Sequence, residues 1–263
     1  MKQTILSLKQ GELLENLIGK YGSIVSSEQV IESAKSNWGY HQAKNLITKL
    51  VKDGWLIRIK RGLYAVSGLT GRGFLSVSPY VVANLLVKDS YVSFESALQF
   101  HNMFDQLMSK TVSVGLKFYK TVKLNNMEYG FVKTKKSLYF GFVEAPLEDR
   151  VARIATAEKA LIDMVNFRKS KLTIDTVIEK IINHKRDLDF NRFNEYLPKF
   201  SGTTVKIFGL IFDLLGINSG SLHELSKRKR GTHWMLPGDK KFNAKWRLYY
   251  DEYFDRYDHS RAT

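Results

Sequence analysis

The apolar residues follow two rhythms, and the first is helical. Leu13, Leu14, Leu17 and Ile18 predict a helix from about Gln10 to Lys20, ended by Gly19 and Gly22. Ser26 or Ser27 caps a second helix, with Glu28 and Gln29 in its first turn and Val30, Ile31 and Ala34 facing inward. The pair Ser36-Asn37 reads as a break that caps a third helix, from about Trp38 to Lys52. There Ala43, Leu46, Ile47, Leu50 and Val51 form one stripe. Asp53-Gly54 stops that helix. Trp55 to Ile59 then reads as a strand, Lys60-Arg61-Gly62 as a tight turn and Leu63 to Val66 as the return strand. Helix, turn, helix and hairpin in this order predict a winged helix-turn-helix domain over residues 1 to 68.

Ser67 to Gly73 is rich in glycine, breaks periodicity and reads as a linker. Helical patterns follow at Ser78 to Leu86 and at Ser93 to His101. The period then shortens. Thr111 to Phe118, Glu128 to Lys133 and Leu138 to Val143 are rich in β-branched and aromatic residues and predict an antiparallel sheet of three or four strands. After Pro146 the chain turns helical again. Thr156 caps a helix to about Phe167, and further patterns span Thr173 to Asn183, Asp189 to Leu197, Thr203 to Leu215 and Gly220 to Lys227. The expected class is α+β: an N-terminal winged helix-turn-helix and, over residues 69 to 263, a C-terminal α+β domain with an antiparallel sheet and several helices.

Charge gives this architecture a direction. The 263 residues are 44 % apolar, which suits a globular chain, and carry a formal net charge of +15. Acidic polymers are the first partners to consider: DNA, RNA or an anionic membrane surface. Residues 1 to 68 hold ten Lys/Arg against five Asp/Glu, and Ser221 to Arg247 hold eight against two. The run Lys227-Arg228-Lys229-Arg230 reads equally as a nucleic-acid or acidic-protein contact and as a solvated loop. The longest apolar stretch, Val205 to Ile217, is interrupted by Asp213 and too short to cross a bilayer. The start resembles no signal peptide. The lack of cysteine excludes disulfides and fits a cytoplasmic protein.

Opposite the apolar stripe of the third helix lie Trp38, His41, Gln42, Asn45, Lys49 and Lys52, flanked by Lys44 and Thr48. His41, Gln42 and Asn45 are the expected base readers, since amide side chains pair bidentately with adenine. Lys44, Lys49 and the wing-tip Lys60 and Arg61 suit phosphates. Trp38 and Trp55 read as packing residues.

Four segments carry a resemblance to a known family. They are Arg61-Gly62-Leu63-Tyr64, Tyr91-Val92-Ser93-Phe94-Glu95-Ser96-Ala97-Leu98, Ile154 to Asp163, and Asn243-Ala244-Lys245-Trp246. In this order the chain resembles the AbiEi antitoxins of bacterial abortive-infection (type IV) toxin–antitoxin pairs, a phage-defence system. The resemblance implies that the first domain binds inverted repeats in its own promoter, favouring two copies on DNA, and represses the operon. It implies that the second counteracts a nucleotidyltransferase-like toxin, AbiEii. It brings no catalytic residue and no cofactor. Ser96, Ala97 and Leu98 then read as helix packing, and Glu158 and Lys159 as an exposed flank or a buried pair.

The six histidines are scattered without metal-ligand spacing, and no phosphate loop or nucleophile elbow occurs. Glu144, Glu148, Asp149 and Lys159 are the one set that suggests a nuclease. Two non-catalytic alternatives are a winged-helix regulator whose second domain senses a small molecule and a module acting on RNA.

Overall fold

The computed structural model describes residues 6–68, 71–148, 150–229 and 231–258. Leu69 and Thr70 of the linker, Asp149 of the carboxylate set, Arg230 of the basic run, His259 and residues 1–5 at the start lie outside them.

Helix α1 spans Leu8–Tyr21 and opens on a capping box. The Ser7 hydroxyl accepts from the Gln10 amide, and the Gln10 side chain accepts from the Ser7 amide. A short strand, β1 (Ile24–Ser26), follows, and Ser26 and Gln29 repeat the device at the start of α2 (Ser27–Lys52). The expected break at Ser36-Asn37 is absent, because helical backbone continues through both. The chain turns at Gly39 instead, at φ 74° and ψ 164°, a conformation open in practice to glycine alone. Trp38 therefore ends the first half of α2 rather than opening the second.

Strands β2 (Leu56–Lys60) and β3 (Leu63–Val66) form the hairpin, and β1 joins it in the order β1-β3-β2. Side chains alternate along each strand, and here both faces are covered. Val25, Leu56 and Val66 point into the amino-terminal core with Leu17, Ala34, Ala43 and Leu50. Ile24, Ile57, Ile59 and Ala65 point the other way, into the core of the rest of the molecule. This wing sheet is a wall shared by two hydrophobic cores, which is why Trp55 to Ile59 is apolar at four of five positions.

Beyond the wall lie α3 (Pro79–Leu86), β4 (Ser90–Val92), α4 (Phe94–Phe100), β5 (Lys110–Gly115), β6 (Val122–Leu124), β7 (Met127–Lys133), β8 (Phe142–Leu147) and β9 (Arg150–Ala155). The six strands form one sheet in the order β6-β7-β5-β4-β9-β8. Three of its ladders are antiparallel, while β5 with β7 and β4 with β9 run parallel. The sheet is thus larger than expected and mixed. Helices α5 (Ala157–Phe167), α6 (Lys171–Asn183), α7 (Phe190–Tyr196), α8 (Gly202–Leu214) and α9 (Gly220–Arg228) follow. A small second sheet, β10 (His233–Trp234), β11 (Lys241–Asn243) and β12 (Leu248–Tyr250), pairs in the order β10-β12-β11.

Two features fix the carboxy-terminal half. Trp246 is fully buried against Gly209 of α8, and its indole N–H donates to Asp213 at 2.6 Å. Within the core, the Lys159 ammonium donates to Asp163 at 2.5 Å and to the Tyr91 hydroxyl at 2.7 Å, and Tyr91 and Ser93 donate to the same carboxylate. All four residues are buried. Burial pushes the Lys159 ammonium's pKa down and the Asp163 carboxyl's up, each shift opposed by the partner's charge. Glu158 is buried but turned away from Lys159; it accepts from the Asp189 amide at 2.8 Å and lies 3.5 Å from Arg192. Glu158 and Lys159 are therefore both buried rather than an exposed flank, but each binds a partner of its own.

Candidate nucleic-acid interface

From Tyr40 to Lys52, α2 has one apolar face and one polar face, and the division follows from sequence. Ala43, Leu46, Ile47 and Leu50 are buried, while His41, Gln42, Lys44, Asn45, Thr48, Lys49 and Lys52 are exposed. No Asp or Glu occurs between Tyr40 and Lys52, and three lysines do. A helix face that is exposed, amide-bearing and free of acid is compatible with a phosphate-lined groove.

The Gly39 turn sets this half of the helix at an angle to the first half and brings Tyr40 to its start. Tyr40 is 56 % exposed; its ring lies edge-on to His41 at 5.8 Å, and the Lys44 ammonium sits 4.4 Å from the ring centre. Sequence reasoning missed Tyr40, because moving the break back to Ser36-Asn37 placed it inside a helix. A glycine followed by an exposed aromatic was the available signal. Trp38 is half-buried against the amino-terminal core, in keeping with packing.

The wing tip is tied to α2, since the Ser27 amide donates to the Gly62 carbonyl at 3.0 Å. Arg61 is exposed at that tip. Lys60 is exposed too, but its ammonium donates to the Leu85 carbonyl at the end of α3. The structure therefore brings His41, Gln42, Lys44, Asn45, Thr48 and Lys49 onto one face, puts Arg61 at the hairpin tip, and engages Lys60 with the second core.

The carboxylate–lysine set is not gathered among the described residues. Lys159 is enclosed, whereas Glu144 is exposed on β8 and pairs with Arg153 at 3.2 Å, and Glu148 lies in the turn after it. No cluster of three or more His, Asp or Glu suited to a metal ion occurs among the described residues. No helix there is long and apolar enough to cross a membrane.

No curated protein matches the chain. Among solved structures, the Rv2827c protein of Mycobacterium tuberculosis has a similar fold, with a TM-score of 0.65 at 11 % identity over 93 % of this chain and 92 % of that one. The sequence match falls on the segment that contains the kinked helix and the hairpin. Over residues 12–67 the chain matches the family described as transcriptional regulator, AbiEi antitoxin.

Proposed function

We propose that the chain is a DNA-binding antitoxin that represses its own operon. In this reading the second half of α2 enters the major groove of an inverted repeat, with His41, Gln42 and Asn45 toward base edges. Lys44, Thr48, Lys49 and the Arg61 wing tip meet phosphates, and Lys60 holds the wing against α3. Two copies occupy the two half-sites. The second half of the chain counteracts a nucleotidyltransferase-like toxin in the cytoplasm. The observation that carries the reading is the acid-free exposed face from Tyr40 to Lys52, on a segment matching a regulator family.

Gel-shift titration on the chain's own promoter at two salt concentrations tests it. Asn45→Ala should cost about 1–3 kcal/mol on the promoter and little on unrelated duplex. Arg61→Ala should weaken all duplexes and lower the salt slope by about one ion. Specific binding that survives Asn45→Ala would place the reading face elsewhere. A Lys49/Arg61 double alanine variant should lose repression while still protecting cells that express the neighbouring toxin.

A second reading, an effector-responsive regulator, draws on a groove of about 380 Å³ beside the linker, lined by Phe74, Leu75, Leu107, Met127 and Tyr129 among others. It predicts a promoter affinity that changes when a small molecule fills the groove, and Leu107→Glu should abolish that response.

A further inference from the structure

The small sheet at the carboxy-terminal end carries a feature that duplex reading does not use. Trp234, Tyr249 and Phe242 are direct cross-strand neighbours, one from each strand. The rings of Trp234 and Tyr249 are stacked, 5.1 Å apart and inclined by 13°, and Phe242 lies 5.0 Å beyond Tyr249. Trp234 is 52 % and Phe242 47 % exposed. The alternate residues Leu248 and Tyr250 are buried, so the aromatic row is the sheet's outer face.

At one end of this sheet is a cavity of about 180 Å³ whose wall includes Lys206, Lys227, Lys229, Lys245 and Arg247 and no acidic residue. Lys206 is buried and donates to the Gly231 carbonyl, and Lys229 donates to the carbonyls of Pro198 and Phe200. Among the described residues, Lys227 pairs with Glu224 and Lys245 with Asp213. Arg247 stands in the left-handed region at φ 48°, at the end of the turn between β11 and β12. Five cations thus line a space with no acidic residue in its wall. Two are close enough that the charge of Arg247, after burial, helps hold the Lys206 pKa down. The hollow at the opposite end of the sheet mixes Asp239, Asp251 and Glu252 with Lys240 and Lys241, and Asp251 is paired with Lys171.

A row of aromatic rings, exposed at both ends and tilted by 48° at Phe242, with a cationic hollow at one end of the sheet, suits a chain of unpaired bases on phosphates. Stacking needs no base pairing or sequence, and the phosphates supply the missing negative charge. We propose that β10, β11 and β12 form a binding platform for single-stranded nucleic acid. Bases extend the stack begun by Trp234, Tyr249 and Phe242, and a phosphate enters the hollow at Arg247. A duplex hides its base faces and cannot extend the stack, so the aromatic row is independent of the face on α2.

Fluorescence anisotropy of the full chain with a labelled twelve-nucleotide RNA, its DNA counterpart and the promoter duplex tests the proposal. Trp234→Ala and Phe242→Ala should each weaken single-strand binding about tenfold or more and leave promoter affinity unchanged. Arg247→Gly suits the backbone at that position and should also weaken it, with a salt slope lower by about one ion. That variant keeps the test open should Trp234→Ala unfold the sheet. Comparing the RNA and DNA strands separates stacking and phosphate binding, which hold both, from contacts to the 2′-hydroxyl, which favour RNA; either pattern supports the platform. Single-strand binding that is absent at low salt, or that is lost in the Lys49/Arg61 double variant and untouched by all three tail variants, would overturn it.

Discussion

At φ 74° and ψ 164°, Gly39 holds a backbone conformation that costs other residues about 1–3 kcal/mol. No atom lies within 4 Å of where a Cβ would sit, so the demand is conformational rather than steric. Gly39→Ala should therefore lower stability by about that amount in chemical denaturation and weaken promoter binding further, because the helix after it is re-aimed. Unchanged stability with unchanged binding would show that the turn tolerates a side chain. The buried cluster around Lys159 makes a different demand. Lys159→Met leaves Asp163 enclosed without a counter-charge and should cost about 3–5 kcal/mol. Replacing the whole set with apolar residues (Lys159→Met, Asp163→Leu, Tyr91→Phe, Ser93→Ala) should cost less than that one change, since no charge is then stranded. If the fourfold variant is the less stable of the two, the cluster contributes more than mutual neutralisation.

Among the elements, α8 and the tail pack most tightly where Gly209 meets Trp246. A Cβ added at Gly209 would lie 2.2 Å from the Trp246 ring, so Gly209→Ala should destabilise by at least 1–3 kcal/mol, the usual range for overpacking. The accompanying release of Trp246 would be visible as a red shift of tryptophan emission. This contact was invisible in the sequence, as Gly209 sits inside an otherwise apolar helix and its partner is 37 residues away. The helices were legible because most bury a stripe with 3.6-residue spacing, though α5 and α8 are buried all round, and most carry a Ser, Thr or Asp cap, as at Thr156, Ser170 and Asp189. The short strands were not. β1 and β4 are three residues long, too short for alternation to register, and their antiparallel partners lie 37 to 41 and 21 to 25 residues along. The parallel ladders were hidden for the same reason: they join segments separated by other structure. The polar face of α2 was legible, since its spacing is local. The error at Ser36-Asn37 arose from treating polar residues as breakers where helical backbone accepts them and only Gly39 has to bend.

For the molecule as a whole, the wing sheet decides how separable the two halves are. Arg150 donates to the Ile24 carbonyl, Lys60 to Leu85, Asn125 to Gly73, and Arg72 to Asp53 beneath the Trp55 ring. Removing residues 1 to 68 would expose the side of α3 that the sheet covers, so point variants on the α2 face separate the two proposed activities more cleanly than truncation does. With one wall between two cores, neither core can open without uncovering the other. Calorimetry of the full chain should accordingly show one unfolding transition whose van't Hoff and calorimetric enthalpies agree. Two resolved transitions would mean the wall yields on one side first. A single transition makes ligand stabilisation common property. Promoter DNA held by α2, as proposed, would then raise the melting temperature of the carboxy-terminal half as well, and DNA-bound protein would resist proteolysis in both halves.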